Sequence, residues 1–191
     1  MTGAPGRGSD SVMLLCLDAV SLAADTDAEA DPAFSGWSVN AATLMGRARL
    51  QGWSVRHVVS RRPRPGEDSW RPMAGLAPEP SEPVYHREQP SALSSPELAA
   101  ALGDGPRWDV VLCGVSVRGS ALATALDALR LSLRLTLASD AAWVPSAERD
   151  GLAGLLELQR AGLAHKAFRL ASTESLLRSW RPLRLVQGGR D

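Results

Sequence analysis

The feature that most constrains this chain is an alternation. Short apolar runs of strand length are separated, about six times, by stretches with helical spacing. Val12–Leu17 is a continuous apolar run ending at an acid, Asp18, and Trp108–Cys113 (WDVVLC) is another. A run that is apolar throughout belongs to a strand buried on both faces, which is how parallel sheets are built. Ser54–Ser60 (SVRHVVS) is rich in β-branched residues and predicts a further strand. Shorter strands are expected at Val84–His86, Leu133–Ala138 and Ala164–Leu170. The intervening spacing predicts helices over Trp37–Leu50, with Gly52 in the C-cap position, and over Pro96–Leu102, Ser120–Leu131, Ser146–Ala161 and Ser172–Trp180. Ser146, Ala147, Glu148 and Arg149 read as an N-cap followed by a charged first turn. This order predicts an α/β, three-layer, Rossmann-like fold, with about six parallel strands and helices on both faces.

The 191 residues suit one domain, expected over 12–181, with flexible tails at 1–11 and 182–191. Residues 61–83 hold six of the 13 prolines and predict an irregular connection, of the kind that is either functional or mobile. Its cluster of Arg61, Arg62, Arg64 and Arg71 reads either as a lid contact for an acidic substrate or as a solvated loop face. With 21 basic and 21 acidic side chains the net charge is zero, which argues against a general nucleic-acid binder. Val12–Leu17 is too short to span a membrane and runs into Asp18 without a small-residue cleavage site, so a cytoplasmic protein without a membrane partner is expected. Cys16 and Cys113 fall inside central strands and read as buried packing residues rather than a disulfide framework.

In sheets of this kind ligands sit beyond the C-terminal ends of the strands. Asp18 ends the first strand, His86 and Arg87 the third, the turn Gly114–Gly119 the fourth, with Ser120 opening the next helix, and Asp140 the fifth. Three blocks stand at these ends: LLCLDAV around Asp18, REQPSAL from Arg87, and GVSVRGSALATALDA leading into Ser120. In order and spacing they resemble the isochorismatase-like (cysteine hydrolase) superfamily. That family carries an acid after strand one, a Lys in K-x-x-x-S-A-F, and a Cys in G-[VI]-x-T-x-x-C-V-x-x-T-A-x-D-A. The likeness runs from about residue 12 to 180 and places Asp18 on the acid, Arg87 on the Lys and Ser120 on the Cys. Thr124, Ala125, Asp127 and Ala128 match the rest of the third block.

The departures carry the functional argument. Of the 21 basic residues only Lys166 is a lysine, and it falls on the expected sixth strand. Arg87 keeps the charge but does not shuttle a proton. A serine hydroxyl is scarcely ionised at neutral pH, so Ser120 is a poor replacement for a thiol. Val20 and Ala23 stand where the family has Gln and an aromatic, and Val117 replaces the Thr of the turn. The resemblance nevertheless includes isochorismatases that cleave a vinyl ether with the Asp as general acid and a small residue at the Cys position. It therefore implies an acid–base enzyme acting on a small metabolite, in specialised metabolism, with Asp18, Arg87 and Ser120 as the catalytic set. Arg87 either pairs with Asp18 or grips an anionic substrate group, and the two uses conflict, because a paired guanidinium opposes a protonated carboxyl. Val115, Val117, Arg118 and Trp143 are the candidate substrate-binding residues. The other reading is a catalytically silent binding or assembly subunit.

Trp70 is a second candidate pocket wall, whereas Trp37 and Trp108 read as core or interface. Ser116 misses the G-x-S-x-G elbow by one residue, and His57 reads as packed or edge-exposed rather than catalytic. The three histidines show no ligand spacing, so neither a metal nor another cofactor is expected. The resemblance implies a small-molecule substrate and a homodimer or larger homo-oligomer.

Overall fold

The computed structural model describes residues 11–19, 34–61, 72–73, 75–103, 108–116, 119–131, 133–161 and 168–179. Its elements run β1 (Ser11–Leu17), α1 (Phe34–Leu50), β2 (Ser54–Ser60), β3 (Val84–Arg87), a 3-10 turn (Ala92–Ser94), α2 (Pro96–Gly103), β4 (Trp108–Val115), α3 (Ser120–Arg130), β5 (Arg134–Trp143), α4 (Ser146–Arg160), β6 (Phe168–Ala171) and α5 (Thr173–Ser179). The six strands form one sheet in the order β3-β2-β1-β4-β5-β6, and every pairing is parallel. The chain builds outward from β1 to β3, then returns to the other side of β1 to begin β4. That reversal makes the β1–β4 seam the topological switch point, where folds of this class open a crevice.

The apolar runs are explained by burial on both faces. Leu14 and Cys16 point into one core with Trp37, Leu44 and Met45 of α1 and Leu176 of α5. Met13, Leu15 and Leu17 point into the other, with Leu98 of α2, Ala121, Ala125 and Ala128 of α3, and Leu152 of α4. Helix α1 begins three residues before the expected Trp37 and ends as expected, with Gly52 left-handed at φ 67°.

Two strands run further than their composition suggests. β4 continues through Gly114 and Val115, so the expected turn starts later. Gly114 has φ 103°, and a Cβ there would lie 2.1 Å from the Leu17 carbonyl oxygen, which is why only glycine lets β4 approach β1 so closely. β5 runs to Trp143 instead of stopping at Ala138. Its pairing with β4 slips: Leu112 faces Leu137, but Gly114 faces Ala142. The extra residues form a bulge around Ser139 and Asp140, the polar pair that reads in sequence as a strand end.

Candidate active site

Asp18 is the first residue beyond β1 and is buried, with 3% of its surface exposed. Among the described residues it is the one non-glycine with a positive φ, 37°, a conformation that costs of order 1–3 kcal/mol and persists where surrounding contacts enforce it. Two of those contacts come from β2. The Asp18 amide donates to the Val58 carbonyl at 2.9 Å, and the Ser60 amide donates to Asp18 Oδ1 at 2.8 Å. The other carboxylate oxygen, Oδ2, accepts from Arg87 Nη2 in a short ion pair. Arg87, the last residue of β3, is itself 3% exposed, and its Nη1 donates to the carbonyls of Gln89 and Pro90 at 2.8 Å each. Its Nε is buried with no acceptor among the described residues. His86 beside it faces the exterior.

Arg87 is thus paired with Asp18, the first of the two uses weighed for it. A guanidinium in contact favours the ionised carboxylate.

Across the seam the turn after β4 is organised differently. Ser116, buried, is tied to β5 by its amide, which donates to the Trp143 carbonyl at 2.8 Å. Its hydroxyl donates to the Glu148 carboxylate, 2.7 Å from Oε1 and 2.6 Å from Oε2, and accepts from the Ala121 amide at 2.9 Å. Glu148 Oε1 also accepts from the Leu122 amide at 2.7 Å. The first-turn amides of α3, which a helix leaves without internal partners, are thus met by Ser116 and by a buried acid from α4. Gly119, left-handed at φ 77°, occupies the cap position, and Ser120 is the first helical residue, fully buried, with its hydroxyl 3.3 Å from that of Ser116. Ser120 thus does not cap the helix, as its type suggests. Glu148 was not legible as a site residue, because an acid in the first turn of a helix ordinarily faces solvent and answers the helix dipole.

The motif residues between these clusters hold them in register. Thr124 Oγ1 donates to the Ser120 carbonyl at 2.6 Å and accepts from the Ala92 amide at 2.9 Å, joining α3 to the segment that follows Arg87. Ser91 Oγ accepts from the Leu93 amide and caps the 3-10 turn. Val115 is fully buried in the α1-side core. Trp143, with Trp37, Leu137, Asp140, Arg149 and Leu170, lines a cavity of about 260 Å3 beside the β5 bulge. Asp140 Oδ1 accepts from the amide and hydroxyl of Thr173, at 2.7 and 2.8 Å, and so anchors α5. Arg61 is exposed and pairs with Glu88. Val117, Arg118, Val20, Ala23, Arg62, Arg64, Trp70, Arg71 and Lys166 lie outside the described residues.

A third polar group runs inward from α1. Arg49 binds both oxygens of Glu82 at 2.8 Å each, and Glu82 Oε2 lies 2.9 Å from His57 Nε2. Cys16 stands opposite both His57 and Cys113 in register. Burial opposes the charge on Glu82, but Arg49, the Glu79 amide and His57 outweigh it and lower the carboxyl to about 2. Burial also opposes the imidazolium of His57, and its contacts with Cys16 and Glu82 outweigh this and raise it. The hydrogen bond with Cys113, then burial, push the Cys16 thiol well up. Cys16 and Cys113 are buried, as their strand positions predict.

Comparison with known families matches residues 12–164 to the isochorismatase domain. Comparison with curated proteins gave no match. Among solved structures the chain is similar to a member of the isochorismatase family from Chromobacterium violaceum, at 24% identity and a TM-score of 0.66, covering 93% of this chain and 98% of that one. It is similar to an isochorismatase family protein from Desulfovibrio vulgaris, at 19% identity and a TM-score of 0.68, covering 90% and 98% of the two chains. It is also similar to the N-carbamoylsarcosine amidase of Thermoplasma acidophilum, at 19% identity and a TM-score of 0.63, covering 86% and 97%.

Proposed function

Since the chain belongs to the isochorismatase family, we propose that it is a hydrolase-type enzyme for a small metabolite, working through Asp18 without a thiol nucleophile. The observation that carries this reading is the buried Asp18–Arg87 pair on strained backbone at the switch point. A charge pair taken out of water costs several kcal/mol per ion before its attraction is counted, and strain of this sort gathers at working sites.

In the proposed step Asp18 takes a proton from water as the water oxygen bonds to an electrophilic carbon of the substrate. The proton then passes to the leaving group as its bond to that carbon breaks. Arg87 holds the carboxylate in one orientation. Its Nε–H, buried without an acceptor among the described residues, is suited to a substrate oxygen on which negative charge develops. The thiol route does not apply, since a hydroxyl occupies position 120 and is enclosed.

The test is turnover of a panel of small amides, carbamoyl compounds, esters and vinyl ethers by the parent and by Asp18→Asn. One class should be turned over, with a loss of about 10²–10⁴ in kcat for the variant. An Asp18→Asn protein as active as the parent sinks the idea. The enclosed Ser120 also supports a second reading, a binding subunit without activity. A parent that binds panel members and turns over none would favour it.

A further inference from the structure

Glu148 comes from α4, yet its carboxylate lies one hydroxyl away from the position that carries the nucleophile in the resemblance set out above. It accepts from the Ser116 hydroxyl and the Leu122 amide, and Ser116 in turn reaches the Ser120 hydroxyl. We propose that Glu148 is a positioning residue that claims the α3 terminus for the chain's own carboxylate, so that residue 120 faces a buried negative charge and is barred from acting as an anionic nucleophile.

The argument rests on what a helix terminus offers and what is already spent. A thiolate at such a place gains from unpaired amides and from the positive end of the helix dipole. Here the Ala121 amide is bound to Ser116 Oγ and the Leu122 amide to Glu148 Oε1. The dipole contributes roughly half a positive charge, whereas an ionised Glu148 contributes a whole negative one. Among the described residues its hydrogen-bond partners are neutral donors, the Ser116 hydroxyl and the Leu122 amide. Serine at position 120 and the inward turn of Glu148 are thus two parts of one arrangement, because a neutral hydroxyl tolerates the acid that a thiolate would not.

A thiol placed at that position reports the field directly. Ser120→Cys is made in the full chain and its thiolate followed by ultraviolet absorbance, with the parent as the blank for Cys16 and Cys113. The expected midpoint is no lower than that of free cysteine, about 8.5, and adding Glu148→Gln lowers it by at least about one pH unit. Glutamine keeps the shape and an acceptor oxygen for the Leu122 amide, so the shift reads the charge and not the packing. A Ser120→Cys midpoint well below 8.5 overturns the proposal, and so does a smaller fall in the double variant. Should that double variant fail to fold, Ser120→Cys with Glu148→Ala takes its place, with the same fall of at least about one pH unit expected and a smaller one overturning the proposal. The readout needs no substrate, so the outcome is separate from the role proposed for Asp18.

Discussion

Asp18 and Glu148 are both buried carboxylates at the C-terminal edge of the sheet, one on each side of the β1–β4 seam, and they are satisfied by different chemistry. Asp18 is met by a guanidinium that the carbonyls of Gln89 and Pro90 hold in place. Glu148 is met by a hydroxyl and an amide. The first arrangement balances charge and holds the carboxylate in one orientation. The second uses a carboxylate to fasten α3 to α4. On the function proposed above the first carboxylate transfers protons, whereas the second joins two helices, although both are buried acids at one sheet edge.

The comparison breaks most visibly if the partners are removed. Arg87→Ala leaves Asp18 buried without this counter-charge, and chemical denaturation should show a loss of about 3–5 kcal/mol, partly recovered in Arg87→Lys. Glu148→Ala should cost less, about 1–3 kcal/mol by the same measurement, since it strands neutral donors and no charge. Equal costs would mean that the two acids are not held differently after all.

A pH titration of stability sharpens the contrast with the Arg49–Glu82–His57 group. Glu82 is lowered from 4.5 to about 2, so its contribution is present above 4.5 and is lost as pH falls toward 2. His57 is raised above its ordinary 6.5, so its contribution is complete below 6.5 and is lost as pH climbs through the raised value. Thermal melting in His57→Gln should lose the alkaline slope, and in Glu82→Gln the acid one. The smallest effect belongs to Ser120→Ala. At 3.3 Å its contact with Ser116 is long for a hydroxyl pair, and both stability and turnover should change little, within about 1 kcal/mol and less than tenfold. A larger loss of turnover would return Ser120 to the reacting set.

Much of this was legible in the sequence because strand ends announce themselves. An apolar run stopping at an acid placed Asp18, and the motif spacing placed Arg87 and Ser120 at the same sheet edge. Element boundaries were lost where local composition and tertiary pairing disagree. Gly114 reads as a turn and is strand, because β1 lies against its bare Cα. Ser139 and Asp140 read as a strand end, whereas a bulge carries β5 past them. Glu148 was hidden for a different reason. Its helix position is ordinary, and only the approach of α4 to the start of α3 turns it from a surface acid into a buried one.

The bare Cα of Gly114 has a consequence for what the crevice can become. With the Leu17 carbonyl oxygen and amide nitrogen 2.1 and 2.7 Å from where a Cβ would stand, the floor between Asp18 and the α3 turn is made of main chain. A floor of that kind has no side chain to shorten, lengthen or recharge. Mutation can change the side chains on either side, Arg87 and Ser116 among them, but the approach of β1 to β4 between them is fixed by two backbones in contact.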